Sequence, residues 1–428
     1  MKTLLLFLLL AFGFLLKSQT TYTSYFTGDT NNVIKPTEYR LCLMGGATED
    51  DNAMKWFLNG SGGGDIVVLR ATGTSGYNTY LYTTLGVTVN SVETLVIPSL
   101  SAANSSYVRR RIREAEAVFI AGGNQLDYIS YWKNTAVDSA LNFLINIKKV
   151  PIGGTSAGMA IQGQCYYSAA MGSITSATAL SNPFNNQVTI GSNDFLHHKI
   201  LTRVITDTHY DNPDRRGRQT TFLARLFQDS ARAFYGIACD EYTAVCIDSN
   251  GIAKAYGGFP AHDDNAYFIQ PNCVLPDSPE NCTANQPLTW NRSSQALKVY
   301  AIKGNSVGAG NFDLKNWQNP NATGGNWQNW FVTNGSFSVT TTVSGISCLT
   351  TGWGEHNMDN LLIYPNPASQ VVNFDKLMDE IIITDVFGRV REHFFSSDKI
   401  QVERLLPGIY FIELRHRNSY YKKKFIKE

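Results

Sequence analysis

Ser156 stands in the run Pro151-Ile152-Gly153-Gly154-Thr155-Ser156-Ala157-Gly158-Met159, where Gly154-x-Ser156-x-Gly158 fits the G-x-S-x-G pattern of a nucleophile elbow. An apolar run ending at Val150 feeds the glycine-rich turn, and Met159 to Gln164 can start a helix. Such a strand-to-helix turn needs backbone freedom and no Cβ beside the serine. It lifts the hydroxyl out and aims nearby N–H groups at one point. The same pattern also occurs in ordinary turns, so the rest of the chain has to carry the chemistry.

A serine hydroxyl is a poor nucleophile at neutral pH. It needs a base to take its proton, and the base needs a partner that fixes its tautomer. Candidates for both follow. Asp207-Thr208-His209-Tyr210 comes after the apolar stretch Ile200 to Ile205, which reads as a buried strand. In Gly236 to Val245 the acid pair Asp240-Glu241 interrupts another strand-like run. Serine, histidine and carboxylate therefore stand at predicted strand ends, where side chains converge.

Together with Gly122-Gly123-Asn124-Gln125, the elbow, the Asp-x-His with arginines behind it and the Asp-Glu-x-Thr-Ala segment resemble the cyanophycinase branch of the S51 serine peptidases. The resemblance runs from about Tyr39 to about Tyr300. It implies a Ser156, His209, Glu241 triad and an oxyanion hole from the backbone N–H groups of Gly123 and Ala157. It also implies a substrate site lined by Gln125, Asp207, Arg216 and Arg218, with cleavage of β-aspartyl peptide bonds such as the β-Asp-Arg units of cyanophycin. The match to the family pattern is imperfect. Asp211 to Asp214 reads as an insertion, and Thr221 stands where the family repeats an arginine, which weakens the case for cyanophycin itself. Arg215 reads equally well as an ordinary salt-bridging residue at a helix start.

The elements that must position these residues alternate. Strands are predicted at Arg40 to Met44, Asp65 to Leu69, Leu95 to Ile97 and Ala117 to Ala121. Helices are predicted at Asp50 to Leu58, Tyr107 to Glu116 and Ala136 to Lys148. Alternation predicts an α/β domain with a mostly parallel sheet covered on both faces. The implied type is a three-layer sandwich, class I glutamine amidotransferase-like or flavodoxin-like. Active sites in such sheets lie beyond the carboxyl ends of the strands, so Gly122-Gly123, the elbow and Asp207 to His209 could share one edge. Gly45-Gly46 lacks dinucleotide-loop spacing and reads as a turn.

At 428 residues the chain is long enough for two or more domains. Its net charge of +1 gives no bulk electrostatic case for nucleic acid or an anionic membrane. Arg109 to Arg111 reads as a solvated helix face. Residues 1–19 read as a signal peptide, since the apolar stretch Leu4 to Leu16 is shorter than the ~20 residues a spanning helix needs. Residues 20–344 form the predicted catalytic domain, with 257–344 β-rich. Residues 345–360 read as a linker and 361–428 as a small C-terminal β-sandwich. In that last segment Tyr364-Pro365-Asn366-Pro367, Leu406-Pro407-Gly408-Ile409-Tyr410 and the terminal lysines resemble the sorting domain of type IX secretion cargo in Bacteroidetes. This implies an exported protein, secreted or attached to the outer cell surface. An adhesive or carbohydrate-binding module is the alternative for the tail.

Seven cysteines suit an oxidising compartment, and Cys273 and Cys282, bracketing a Pro-rich loop, are expected to pair. Cys42, Cys165, Cys239 and Cys246 read as buried thiols. The adjacent His197-His198 do not face one site on a regular element, so no metal and no cofactor is expected. Trp317, Trp327, Trp330 and Phe331 read as packing rather than as a sugar platform. The resulting expectation is an exported serine hydrolase that acts on peptides through an acyl-enzyme. A non-catalytic surface protein on the same scaffold is the alternative. An esterase-like α/β-hydrolase is disfavoured because that fold orders its triad Ser, acid, His.

Overall fold

The computed structural model describes residues 22–273, 277–318, 322–342, 362–386, 388–416 and 419–428. The expected signal peptide and linker lie outside the described residues. The chain divides into two compact units, Met1–Ser347 and Cys348–Glu428.

The first unit runs through β1 (Thr23–Gly28), β2 (Leu41–Met44), β3 (Asp65–Arg70), β4 (Ser91–Val96), β5 (Ala117–Ile120) and β6 (Ile152–Thr155). It continues with β7 (Cys165–Tyr167), β8 (Ile190–Ser192), β9 (Val204–Asp207), β10 (Tyr235–Cys239), β11 (Ala244–Ile247) and β12 (Ile252–Tyr256). It ends with β13 (Asn265–Pro271), β14 (Leu297–Lys303), β15 (Ala309–Asp313), β16 (Asn326–Thr333) and β17 (Ser336–Thr342). These strands build two sheets instead of the single mostly parallel one expected. A nine-stranded sheet has the order β1-β4-β3-β5-β6-β2-β11-β12-β15. Its centre, β4-β3-β5-β6-β2, is parallel, and both flanks are antiparallel. An eight-stranded sheet, β17-β16-β14-β13-β10-β9-β7-β8, is parallel only where β9 meets β10 and β7.

Strands β2, β3 and β5 of the parallel centre read as nearly continuous apolar sequence because helices cover them. Strands β2 and β5 are buried throughout, and Asp51–Asn59 turns Met54, Phe57 and Leu58 inward. Asp50 caps that helix by accepting the Ala53 N–H at 2.8 Å. The two sheets share one core, in which Leu43, Ile120 and Ile152 cluster with Val204, Ile237 and Phe268. The run Gly236 to Val245 is split between them. Strand β10 belongs to the second sheet and β11 to the first, so residues 240–243 cross over.

Two local expectations change, those for Arg111 and Cys282. Arg111 is not on a solvated face: it is buried and its Nε donates to the buried Glu93 at 2.5 Å, while Arg110 pairs with Glu114 at the surface. Cys273 is disulfide-bonded but Cys282 is a free buried thiol, so the expected Cys273–Cys282 bond is absent. His198 is a core histidine, bonded to Tyr39 Oη and Gln162 Oε1, each at 2.8 Å, and burial pushes its pKa down to about 3. Trp330 is fully buried against Tyr210, Tyr267 and Phe337, and Trp317 stacks on Tyr235.

The second unit contains β18 (Ile363–Tyr364), β19 (Val371–Asp385), β20 (Val390–Gln401), β21 (Gly408–His416) and β22 (Ser419–Lys427). Its strands pair in one five-stranded antiparallel sheet. Strand β19 breaks register against β20 between Asn373 and Met378, which bends it. The unit buries its own cluster, including Val372, Met378, Ile383, Ile412 and Phe425. Among the described residues, no helix is long and apolar enough to cross a membrane.

Candidate active site

Segments leaving the carboxyl ends of five strands meet at one place. They are Gly45-Gly46 after β2, Gly122-Gly123 after β5, Ser156 after β6, His209 beyond β9 and Glu241 beyond β10. Ser156 therefore comes from one sheet, and His209 and Glu241 come from the other or from the crossover between them.

Ser156 has φ 52° and ψ −118°, a conformation that costs a non-glycine residue on the order of 1–3 kcal/mol. The elbow glycines are needed for space. A Cβ on Gly154 would overlap the Gly158 carbonyl, and one on Gly158 would overlap the Ile120 carbonyl. The short helix Ala157–Ala160 follows, and the Thr206 hydroxyl ties it to β9 by donating to Met159 O at 2.8 Å. Gly122 lies beside the serine, with 3.5 Å between its would-be Cβ and Ser156 Cβ.

His209 Nε2 is 2.8 Å from Ser156 Oγ, and His209 Nδ1 is 2.6 Å from Glu241 Oε1. The histidine and glutamate side chains keep 25% and 18% of their exposure, so solvent reaches the pair. The hydrogen bond from His209 holds the Glu241 carboxyl below the usual range. Desolvation opposes this, and Asn212 and Arg215 reinforce it. An acceptor at Nδ1 leaves Nε2 free to accept the serine proton.

The loop read as a plain turn carries much of this arrangement. Met44 O accepts the Ser156 N–H at 3.0 Å, Gly45 O accepts the His209 N–H at 2.8 Å, and Gly46 O accepts the Tyr242 N–H at 3.2 Å. Gly45 N–H in turn donates to Thr243 O at 2.9 Å. Three successive carbonyls thus hold the backbone at or next to all three side chains. Paired glycines directly after a strand were the available signal. The apparent insertion also contributes, since Asp211 Oδ1 accepts the Glu241 N–H at 3.0 Å.

Asp240, next to Glu241, faces inward and is 3% exposed. Its Oδ2 accepts the Asn265 N–H at 2.8 Å, and its Oδ1 is buried with no hydrogen-bond partner. Burial pushes its pKa up to about 7.

The proposed substrate residues separate. Asp207 and Arg218 are 2% and 3% exposed and form a two-pronged ion pair with each other, Arg218 Nε lying 2.8 Å from Asp207 Oδ2. Arg216 pairs with Asp214, its Nε lying 2.9 Å from Oδ1. Thr221 is buried and its hydroxyl donates to Gly217 O, and Arg225 bonds to Pro183 O. Arg215 differs. It donates to Thr208 O at 2.8 Å, its Nε is buried without a partner, and no carboxylate among the described residues stands within ion-pair distance. Gln125 opens the helix Gln125–Trp132, directly after the Gly122-Gly123 loop.

Residues 74–254 match the family model of Peptidase family S51, and residues 362–428 match that of the Secretion system C-terminal sorting domain. Both resemblances read from the motifs are thereby borne out. The first matched span contains all four motifs. The chain is 25% identical over 198 residues to the cyanophycinase of Trichormus variabilis, covering 46% of this chain and 59% of that protein. It is 23% identical over 201 residues to the cyanophycinase of Thermosynechococcus vestitus, covering 47% and 56%. The match thus spans less than two thirds of those relatives. The crystal structure of a peptidase from an acI-B1 Actinobacterium aligns with 52% of this chain and 90% of its own. That alignment has 11% identity and a TM-score of 0.38, too low to speak for a shared fold. The family matches support a peptidase.

Proposed function

We propose that this chain, with its similarity to Peptidase family S51, is an exported serine hydrolase that cleaves β-aspartyl or related peptide bonds through an acyl-enzyme on Ser156. The observation that carries the reading is the continuous relay from Ser156 Oγ through His209 to Glu241, at 2.8 and 2.6 Å. His209 takes the hydroxyl proton as Oγ attacks the scissile carbonyl. Glu241 accepts the other imidazole N–H and stabilises the imidazolium. The backbone N–H groups of Gly123 and Ala157 receive the developing oxyanion, a contribution whose loss typically costs ~10²–10³ in turnover. His209 passes its proton to the leaving amine, and water then repeats the attack on the acyl-enzyme.

Charge around the relay fits a substrate carrying both signs. Arg215, whose charge acts on Glu241 and which has no carboxylate among the described residues at ion-pair distance, suits a substrate carboxylate. Opposite charge comes from Asp211 and Asp264. Burial first, then the charges of Asp211 and Glu241, push the Asp264 carboxyl up. A β-Asp-Arg unit has this pattern, and the curated relatives are named cyanophycinases. In this reading Gln125 lines the same cleft, while Asp207 and Arg218 brace its floor and Arg216 stands at its rim. The C-terminal unit serves as the address for a type IX secretion machinery.

The test is a fluorophosphonate probe applied to wild type and Ser156→Ala, beside assays on β-Asp-Arg dipeptide, cyanophycin and p-nitrophenyl esters. Labelling and peptide hydrolysis are expected in wild type only. Equal labelling of both proteins rejects Ser156 as nucleophile, and turnover of esters alone rejects the peptidase assignment.

A further inference from the structure

We propose that Cys42 and Cys246 join in a cross-strand disulfide when the chain folds in the presence of a disulfide donor. Both are free, buried thiols in this structure, with 3.7 Å between their sulfurs. They stand directly opposite each other in the antiparallel pair of β2 and β11. The Gly45 N–H to Thr243 C=O bond makes that pair a hydrogen-bonded one. Pair types alternate along an antiparallel ladder, so 44/244 is non-hydrogen-bonded, 43/245 hydrogen-bonded and 42/246 non-hydrogen-bonded. This last type brings side chains closer, with Cα atoms about 4.5 Å apart. That lies inside the ~4.4–6.8 Å window for disulfides, and small side-chain rotations bring the sulfurs to ~2.05 Å.

Cys239 is not a competitor. It clusters on the other face of the sheet, with Leu43 and Val245, whereas Cys42 and Cys246 cluster with Met54 and Phe57.

The chemistry is thiol–disulfide exchange. The Cys246 thiolate attacks the donor disulfide, such as glutathione disulfide, and releases one donor thiol. The Cys42 thiolate then attacks the Cys246 sulfur and releases the second. The donor is reduced to two thiols, the protein loses two electrons, and the two cysteine protons end on the released thiols. In the finished fold burial pushes the pKa of the Cys246 thiol up, which favours closure while β11 is being laid against β2. Once closed it is shielded from reductants. It links the strand that runs into Gly45-Gly46 to the strand that leaves the Glu241 loop, and export to an oxidising compartment suits it.

The experiment refolds the full chain from denaturant with glutathione disulfide or with reductant. Free thiols are then trapped with N-ethylmaleimide in denaturant before peptide mapping. After oxidative refolding a linked Cys42–Cys246 peptide is expected, with Cys165, Cys239 and Cys282 alkylated. The oxidised protein should melt several degrees above the reduced one. That difference should shrink in Cys42→Ala/Cys246→Ala, which keeps the Cys273 bond. Full alkylation of Cys42 and Cys246 after oxidative refolding overturns the proposal, as does a peptide joining either to another cysteine. Should the double variant fail to fold, the wild-type peptide map decides alone.

Discussion

The imidazole of His209 fills the space beside the Cα of Gly46, so that a Cβ there would overlap its Cε1 and Nε2. Gly46 also holds φ 114°, a conformation that L side chains rarely adopt. Gly46→Ala is therefore expected to displace the ring from Ser156 without removing any reactive group. A misplacement of ~1 Å can cost about 10²-fold in turnover. Steady-state kinetics should show kcat falling by that order with KM nearly unchanged, while circular dichroism keeps its shape. Unchanged kcat would show that the ring position does not matter.

Glu241→Gln keeps the shape of the brace and removes its charge. The amide can present an N–H to Nδ1 and favour the wrong tautomer, a change that lowers turnover by about 10⁴ in a serine triad. The loss should exceed that of Gly46→Ala. Fluorophosphonate labelling rates provide a readout independent of the substrate.

Arg215→Met should separate recognition from chemistry. KM for a substrate bearing a free carboxylate is expected to rise about 10-fold or more, in line with losing a charged hydrogen bond worth roughly 1.5–3 kcal/mol. Hydrolysis of a neutral ester should fall less, through the lost bond to Thr208 O and the lost charge beside Glu241. Arg216→Met, whose guanidinium already pairs with Asp214, should leave both nearly unaltered.

Asp207 and Arg218 predict a stability effect. Arg218→Met leaves a buried carboxylate unpaired and should destabilise the first unit by about 3–5 kcal/mol. Asp207→Asn/Arg218→Met should recover part of that loss. Urea unfolding of the three proteins side by side checks both statements, and additive losses would contradict the pairing.

Asp240 predicts a pH dependence. Its folded pKa, raised by burial to about 7, lies above the unfolded value, so the neutral acid favours the fold. The contribution is complete below the unfolded pKa near 3.8 and is lost as pH rises through about 7. Asp240→Asn removes this loss and should gain on the order of 2 kcal/mol over wild type at pH 8, with little gain at pH 4. Melting curves at the two pH values test it. A gain independent of pH would mean that Asp240 stays ionised in both states.

The elbow was readable because its demands are local. Gly154 and Gly158 are dictated by atoms within a few residues and one neighbouring strand. Strands β2, β3 and β5 were equally plain, since continuous apolar runs between helices have few other uses, whereas β4 starts at Ser91, ahead of the expected Leu95, because Glu93 within it is buried against Arg111. The arginines were not readable. Arg215, Arg216 and Arg218 look alike in sequence, and only the placement of Asp207 and Asp214 decides which charges are already paired. Cys282 was misassigned for a similar reason, because proximity along the chain says little about sulfur geometry.

The chain alone determined an elbow serine, the order of its partners and a separate β tail, because these follow from short-range sterics and local pattern. The folded structure decided that two sheets, not one, supply the site and that residues 240–243 cross between them. It also decided that the carbonyls of Met44, Gly45 and Gly46 align the relay. Apolar strands carry no mark of the sheet they will join. Backbone hydrogen bonds between distant segments use groups that every residue possesses, so no side-chain pattern could announce them.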